Sequence, residues 1–120
     1  MKIIYWRLVA LVWMGGIWYL SNQPDLSSGL SYDFWLRKAA HVSEYAILMF
    51  LLYMSLEKLV SNKYRVWWSV LLSVLYASSD EWHQTFVVGR HGAIGDVVID
   101  SIGILVMMFL IFWQTKKASD

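Results

Sequence analysis

The residues with the most chemistry lie in one run, Ser79-Asp80-Glu81-Trp82-His83-Gln84-Thr85-Phe86-Val87-Val88-Gly89-Arg90. It sets two carboxylates, an imidazole, an amide and a guanidinium directly after an apolar stretch. His41, Glu44 and Tyr45 stand at i, i+3 and i+4; Asp80, His83 and Gln84 repeat that spacing, and Asp96 and Asp100 stand at i, i+4. On helices each set shares one face. A histidine whose tautomer a carboxylate fixes is a general acid or base. The candidate catalytic set is therefore His41, Glu44, Asp80, Glu81 and His83, with either histidine as the proton-transfer group. Arg90, with Lys38, suits a phosphate or carboxylate through paired hydrogen bonds. The candidate substrate-binding set is Lys38, Tyr45, Gln84, Arg90, Asp96 and Asp100. Acids with a histidine can also hold a divalent cation at such a cluster, although no stretch carries a recognisable ligand motif and no metal ligands are assigned.

Plainer readings stand beside these. Buried polar side chains hold membrane helices together for roughly 1 kcal/mol each. Arg90 can pair with Asp80, Glu81 or Asp96. Gly89, Gly92 and Gly95 bracket Arg90 and His91; they can cradle an anion or form an ordinary tight turn. His91 is expected at the surface and is assigned nothing. So many ionisable groups at one level exceed what four short helices need for assembly, which favours the functional reading.

The elements that position these residues are apolar. The chain has 120 residues, 58% hydrophobic and 16% charged, with a mean hydropathy of +0.48. Soluble domains are nearer half apolar and a quarter charged. One domain over 1–120 is expected. A net charge of +1 gives no basis for nucleic-acid binding. The absence of cysteine excludes disulfides and thiolate metal sites. Eight Trp and seven Tyr suit two membrane–water boundaries.

Four spans are expected, at about 3–20, 38–56, 66–86 and 94–113. The first begins like a signal peptide, but it is long enough to cross and lacks a small-x-small site before Ser21. Arg7 can snorkel to the interface. Gly15-Gly16 and Gly103 are expected to let helices pack closely. Ser21 to Leu36 reads as a polar loop containing Pro24, with Ser31 to Leu36 as a short amphipathic turn. Glu57 to Arg65 reads as a charged loop. The third run is apolar only from Val66 to Ala77, whereas a crossing helix needs about 20 residues. Continuing it to Phe86 draws Asp80, Glu81, His83 and Gln84 into the helix.

Basic residues set the orientation. Lys2, Arg7, Lys58, Lys63, Arg65, Lys116 and Lys117 fall on one side, and Arg37, Lys38 and Arg90 on the other, seven against three. Both termini are expected in the cytoplasm. Trp6, Trp67, Trp68 and Trp113 then mark the inner boundary, and Trp18, Tyr19, Trp35 and Trp82 the outer. The polar ends of spans two, three and four meet in the outer leaflet. Ile47 to Met54 and Val66 to Leu75 offer almost no polar lining, which argues against a proton or ion conduit.

At these residues the chain resembles the VanZ-like family of small bacterial membrane proteins. The matching pieces are Ser21-Asn22-Gln23-Pro24, Arg37 to Tyr45, Asp80 to Gln84, Gly89-Arg90, Asp96, Asp100 and Gly103, in the family's order over about residues 17 to 110. Asp100 departs from the pattern, standing where many members have Asn. The resemblance implies a bacterial envelope protein near lipid-linked wall precursors; the namesake is associated with low-level teicoplanin resistance, and no reaction carries over. The expectation is an all-α membrane protein, a four-transmembrane-helix bundle with a polar cluster at the extracytoplasmic end. It would sit multi-pass in the bacterial cytoplasmic membrane and act on, or bind, a lipid-linked phosphate-bearing substrate. The alternative is a non-catalytic module for a lipid head group or a lipoglycopeptide.

Overall fold

The structure, a computed structural model, describes residues 1–22, 33–87 and 94–120. It is all-α: α1 (Lys2–Ser21), α2 (Asp33–Ser55), α3 (Asn62–Gln84) and α4 (Ile94–Ser119), with no strand among the described residues. At about 1.5 Å rise per residue, each helix reaches roughly 30 Å or more, the thickness of a bilayer core. The long dimension of the molecule is 48 Å.

α3 carries Asp80 to Gln84 inside the helix, as the length argument requires. Three boundaries differ from expectation. α3 begins at Asn62, so the end of the stretch expected as a charged loop, Asn62 to Arg65, is its first turn. α2 starts at Asp33, so the stretch expected to end a loop is its first turn; no proline or glycine between Asp33 and Lys38 breaks the helix. Ser31, Tyr32 and Pro24 lie outside the described residues. α4 runs on through Lys116 and Lys117, where cations favour the carbonyl end of a helix.

α2 is the central element and packs against α1, α3 and α4, while α1 and α4 do not pack on each other among the described residues. Pairings at α2's end fix the directions. Ser55 Oγ donates to the Trp6 carbonyl at 3.1 Å, and Arg7 Nε to the Ser55 carbonyl at 3.2 Å, so α1 and α2 run antiparallel. The Arg65 guanidinium lies 3.9 Å from the Tyr53 ring centre, so α2 and α3 do the same. The closest approach is between parallel helices, α2 and α4. A Cβ added at Gly103 would sit 2.1 Å from the Val42 carbonyl oxygen and 2.9 Å from its carbon. Backbone leaves no room there, so this approach requires glycine, as expected.

Gly15-Gly16 is a correction. Nothing lies within 4 Å of a Cβ built at either residue, and both are exposed. The buried positions of α1 are Ala10, Ile17 and Ser21, a stripe that neither glycine joins. Small residues bring helices together only where a partner faces them.

The buried residues of α3 include Val66, Ser69, Ser73, Ala77, Asp80 and Gln84, spaced three or four apart. That stripe meets a core of Ile17, Tyr45, Leu48, Met49, Ile104 and Ile111. The opposite faces are apolar too. Leu8, Leu11 and Val12 of α1 and Ile102, Leu105, Val106 and Phe109 of α4 are exposed, more contiguous apolar surface than soluble monomers present. α1 and α4 are long and apolar enough to cross a membrane.

Candidate functional site at the α2–α3–α4 polar end

At one end of the molecule the α3 stripe changes from apolar to polar, because Asp80 and Gln84 continue the register of Ser73 and Ala77. Tyr45 occupies the facing position on α2. It is fully buried, and its hydroxyl donates to Asp80 Oδ2 at 3.0 Å. Gln84 Nε2 reaches the same oxygen at 3.4 Å and Ser21 Oγ of α1 at 3.3 Å. Asp80 is 0% exposed. Its Oδ1 is buried without a hydrogen-bond partner among the described residues.

The parallel α2–α4 seam carries the second group. His41 Nδ1 and Asp100 Oδ1 pair at 3.1 Å, with the histidine side chain 23% exposed and the aspartate 0%. Asp100 Oδ2 is buried and has no partner among the described residues. About one turn nearer the helix starts, Lys38 and Asp96 form an ion pair at the rim. The pairs follow in the same order along both helices: Lys38 meets Asp96, His41 meets Asp100, and Val42 meets Gly103. The close approach at Gly103 therefore holds both polar pairs in place. Glu81 is buried beside this seam; one donor atom each from His41, Glu81 and Asp100 lies within 4.8 Å of the other two.

Two predicted residues turn elsewhere. His83, expected on the face of Asp80 and Gln84, stacks on Trp18 of α1 with ring centres 3.9 Å apart and planes 12° apart. Glu44, expected with His41 and Tyr45, lines a groove of about 250 Å³ with Val12, Trp13, Gly16, Ile17 and Leu20 of α1. Trp13 Nε1 donates to its backbone carbonyl at 3.0 Å. The reason is angular: i+3 lags i+4 by about 100° around the helix, enough to face a different neighbour. Arg90, Gly89, His91 and Gly92 lie outside the described residues.

The site thus joins Lys38, His41, Tyr45, Asp80, Glu81, Gln84, Asp96 and Asp100. Ser21 and Trp18 were missed as contributors. Ser21 is the last residue of α1 and falls level with Gln84, a depth match the sequence did contain. Burying carboxylates is costly unless donors surround them; here Tyr45 and Gln84 donate to Asp80, and His41 pairs with Asp100.

The family model VanZ/LLP1 matches residues 3–115. The chain belongs to the VanZ/LLP1 family. No curated protein and no solved structure matches it. The VanZ/LLP1 match takes in all of α1's apolar core and most of α4, beyond the stretch on which the sequence pieces rest. Those pieces supply Lys38, His41, Tyr45, Asp80, Gln84, Asp96 and Asp100, whose side chains meet at the polar end. Membership and the two apolar helices point to a membrane protein of the envelope.

Proposed function

We propose that all four helices of this VanZ/LLP1 protein span the bilayer with both termini cytoplasmic. Its extracytoplasmic polar site binds the phosphate-bearing head of a lipid-linked envelope substrate and acts on it. The carrying observation is the His41–Asp100 pair. A buried carboxylate orients a part-exposed imidazole, the arrangement that general acid–base chemistry uses. His83 is less suited, being stacked under Trp18. Polar residues that only glue helices end up satisfied; Asp80 and Asp100 each keep a buried oxygen without a partner among the described residues. An outer-leaflet site also suits the substrate's shape, with the head at the rim near Lys38 and the tail in lipid. The test is turnover of labelled polyprenyl-phosphate-linked precursors and phospholipids by purified protein. His41→Ala lowers the rate roughly 100-fold while lipid binding persists. No turnover across a broad panel, with and without divalent metals, refutes catalysis.

The second reading is capture of a lipid head group or lipoglycopeptide without chemistry. The exposed Trp35, Trp82 and Phe86 at this end favour it, since they offer aromatic surface for an amphipathic ligand. It predicts that Arg90→Ala abolishes binding and that His41→Ala changes nothing measurable.

A further inference from the structure

We infer that His41 of α2, Glu81 of α3 and Asp100 of α4 form a divalent-cation site. One donor atom of each lies within 4.8 Å of the others, on three different helices. Donor atoms bound to one first-row metal at about 2.1 Å and near-tetrahedral or right angles lie roughly 3.0–3.4 Å apart. The His41 Nδ1–Asp100 Oδ1 separation of 3.1 Å is already an edge of such a polyhedron.

A second observation points the same way. Asp100 is fully buried, and its Oδ2 meets no hydrogen-bond donor among the described residues. A buried carboxylate oxygen left this way is costly, and a cation removes the cost. Asp80 also keeps a buried oxygen, Oδ1, without a partner among the described residues, but it is not one of the three groups whose donor atoms converge. The part-exposed His41 leaves an entry path.

The donor set selects the class of ion. One imidazole nitrogen with two carboxylates suits Mn²⁺, Fe²⁺ or Zn²⁺; Ca²⁺ takes six to eight oxygens. Three protein ligands leave coordination positions open, which can take phosphate oxygens or water. The inference rests on the phosphate-binding part of the reading above; it gives His41 and Asp100 to the ion in place of their mutual hydrogen bond, and it narrows the substrate to a phosphate ester or diphosphate engaged through the metal.

The experiment uses the full chain in lipid nanodiscs, stripped with EDTA and titrated with Mn²⁺ under electron paramagnetic resonance, with Zn²⁺ as competitor. The expected result is saturable uptake of one ion per chain. Glu81→Gln and Asp100→Asn each weaken it roughly 100-fold, while Glu57→Gln at the opposite end leaves it unchanged. Circular dichroism confirms that each variant keeps its helices. Absence of saturable Mn²⁺ and Zn²⁺ binding by the wild-type chain overturns the inference whatever the variants do. So does a folded Glu81→Gln chain that binds as the wild type does. Polyprenyl phosphate binding, measured in parallel, separates the two claims. Lipid binding without metal uptake removes the cation site and keeps the substrate reading; metal uptake without lipid binding does the reverse.

Discussion

The two ends of the helices use their buried polar side chains differently. At the α2–α3 turn end, hydroxyls and cations go to backbone or rings. Ser55 donates to the Leu51 and Trp6 carbonyls, Ser69 to that of Arg65, and Arg65 covers Tyr53. Ser73, midway along α3, likewise donates to the Ser69 carbonyl. At the other end, side chains meet side chains across helices: Tyr45 with Asp80, Gln84 with Ser21, His41 with Asp100, Lys38 with Asp96. Carboxylate oxygens there remain without partners among the described residues. Backbone-directed bonds satisfy a group and close it off. Bonds between helices hold a constellation in place and leave capacity for a ligand.

The largest effect that sharpens this contrast is at the seam. Gly103→Ala forces α2 and α4 apart and should destabilise the protein by about 3 kcal/mol, the upper end for overpacking, because the clash is with Val42 backbone. Thermal unfolding in detergent checks it; an unchanged transition removes the argument that this contact sets the register of the site. Tyr45→Phe comes next, at about 2 kcal/mol, since it strips a donor from a buried carboxylate. Ser69→Ala should cost under about 1 kcal/mol, because the hydroxyl bonds only to its own helix. If the serine costs as much as the tyrosine, the distinction between the two ends fails. Gly15→Ala should lie within about 1 kcal/mol of the wild type, on the stabilising side, because its face is open.

Much of this was legible in the sequence. The apolar run from Val66 to Ala77 was too short to cross, which drew Asp80 to Gln84 into α3, and the helix includes them. Gly103 read correctly as a close contact. What the sequence did not encode was rotation. A spacing of i, i+3, i+4 says that residues neighbour each other, not which helix they face. Glu44 and His83 therefore turned toward α1, while His41, Tyr45 and Asp80 turned inward. The partner of His41 was equally hidden: it is Asp100 because α2 and α4 run parallel in one register, a property of two helices and not of either alone. Gly15-Gly16 misled for the same reason, since a small-residue pair carries no record of which way it points.

The central claim is that the polar end, and not the turn end, engages an anionic lipid head. Retention of polyprenyl phosphate by the protein in nanodiscs, read by native mass spectrometry, tests it most directly. The account predicts that the wild type and Lys58→Ala, at the turn end, retain the lipid, whereas Lys38→Ala, at the polar rim, loses it. Retention by Lys38→Ala, or equal loss from Lys58→Ala, would contradict it.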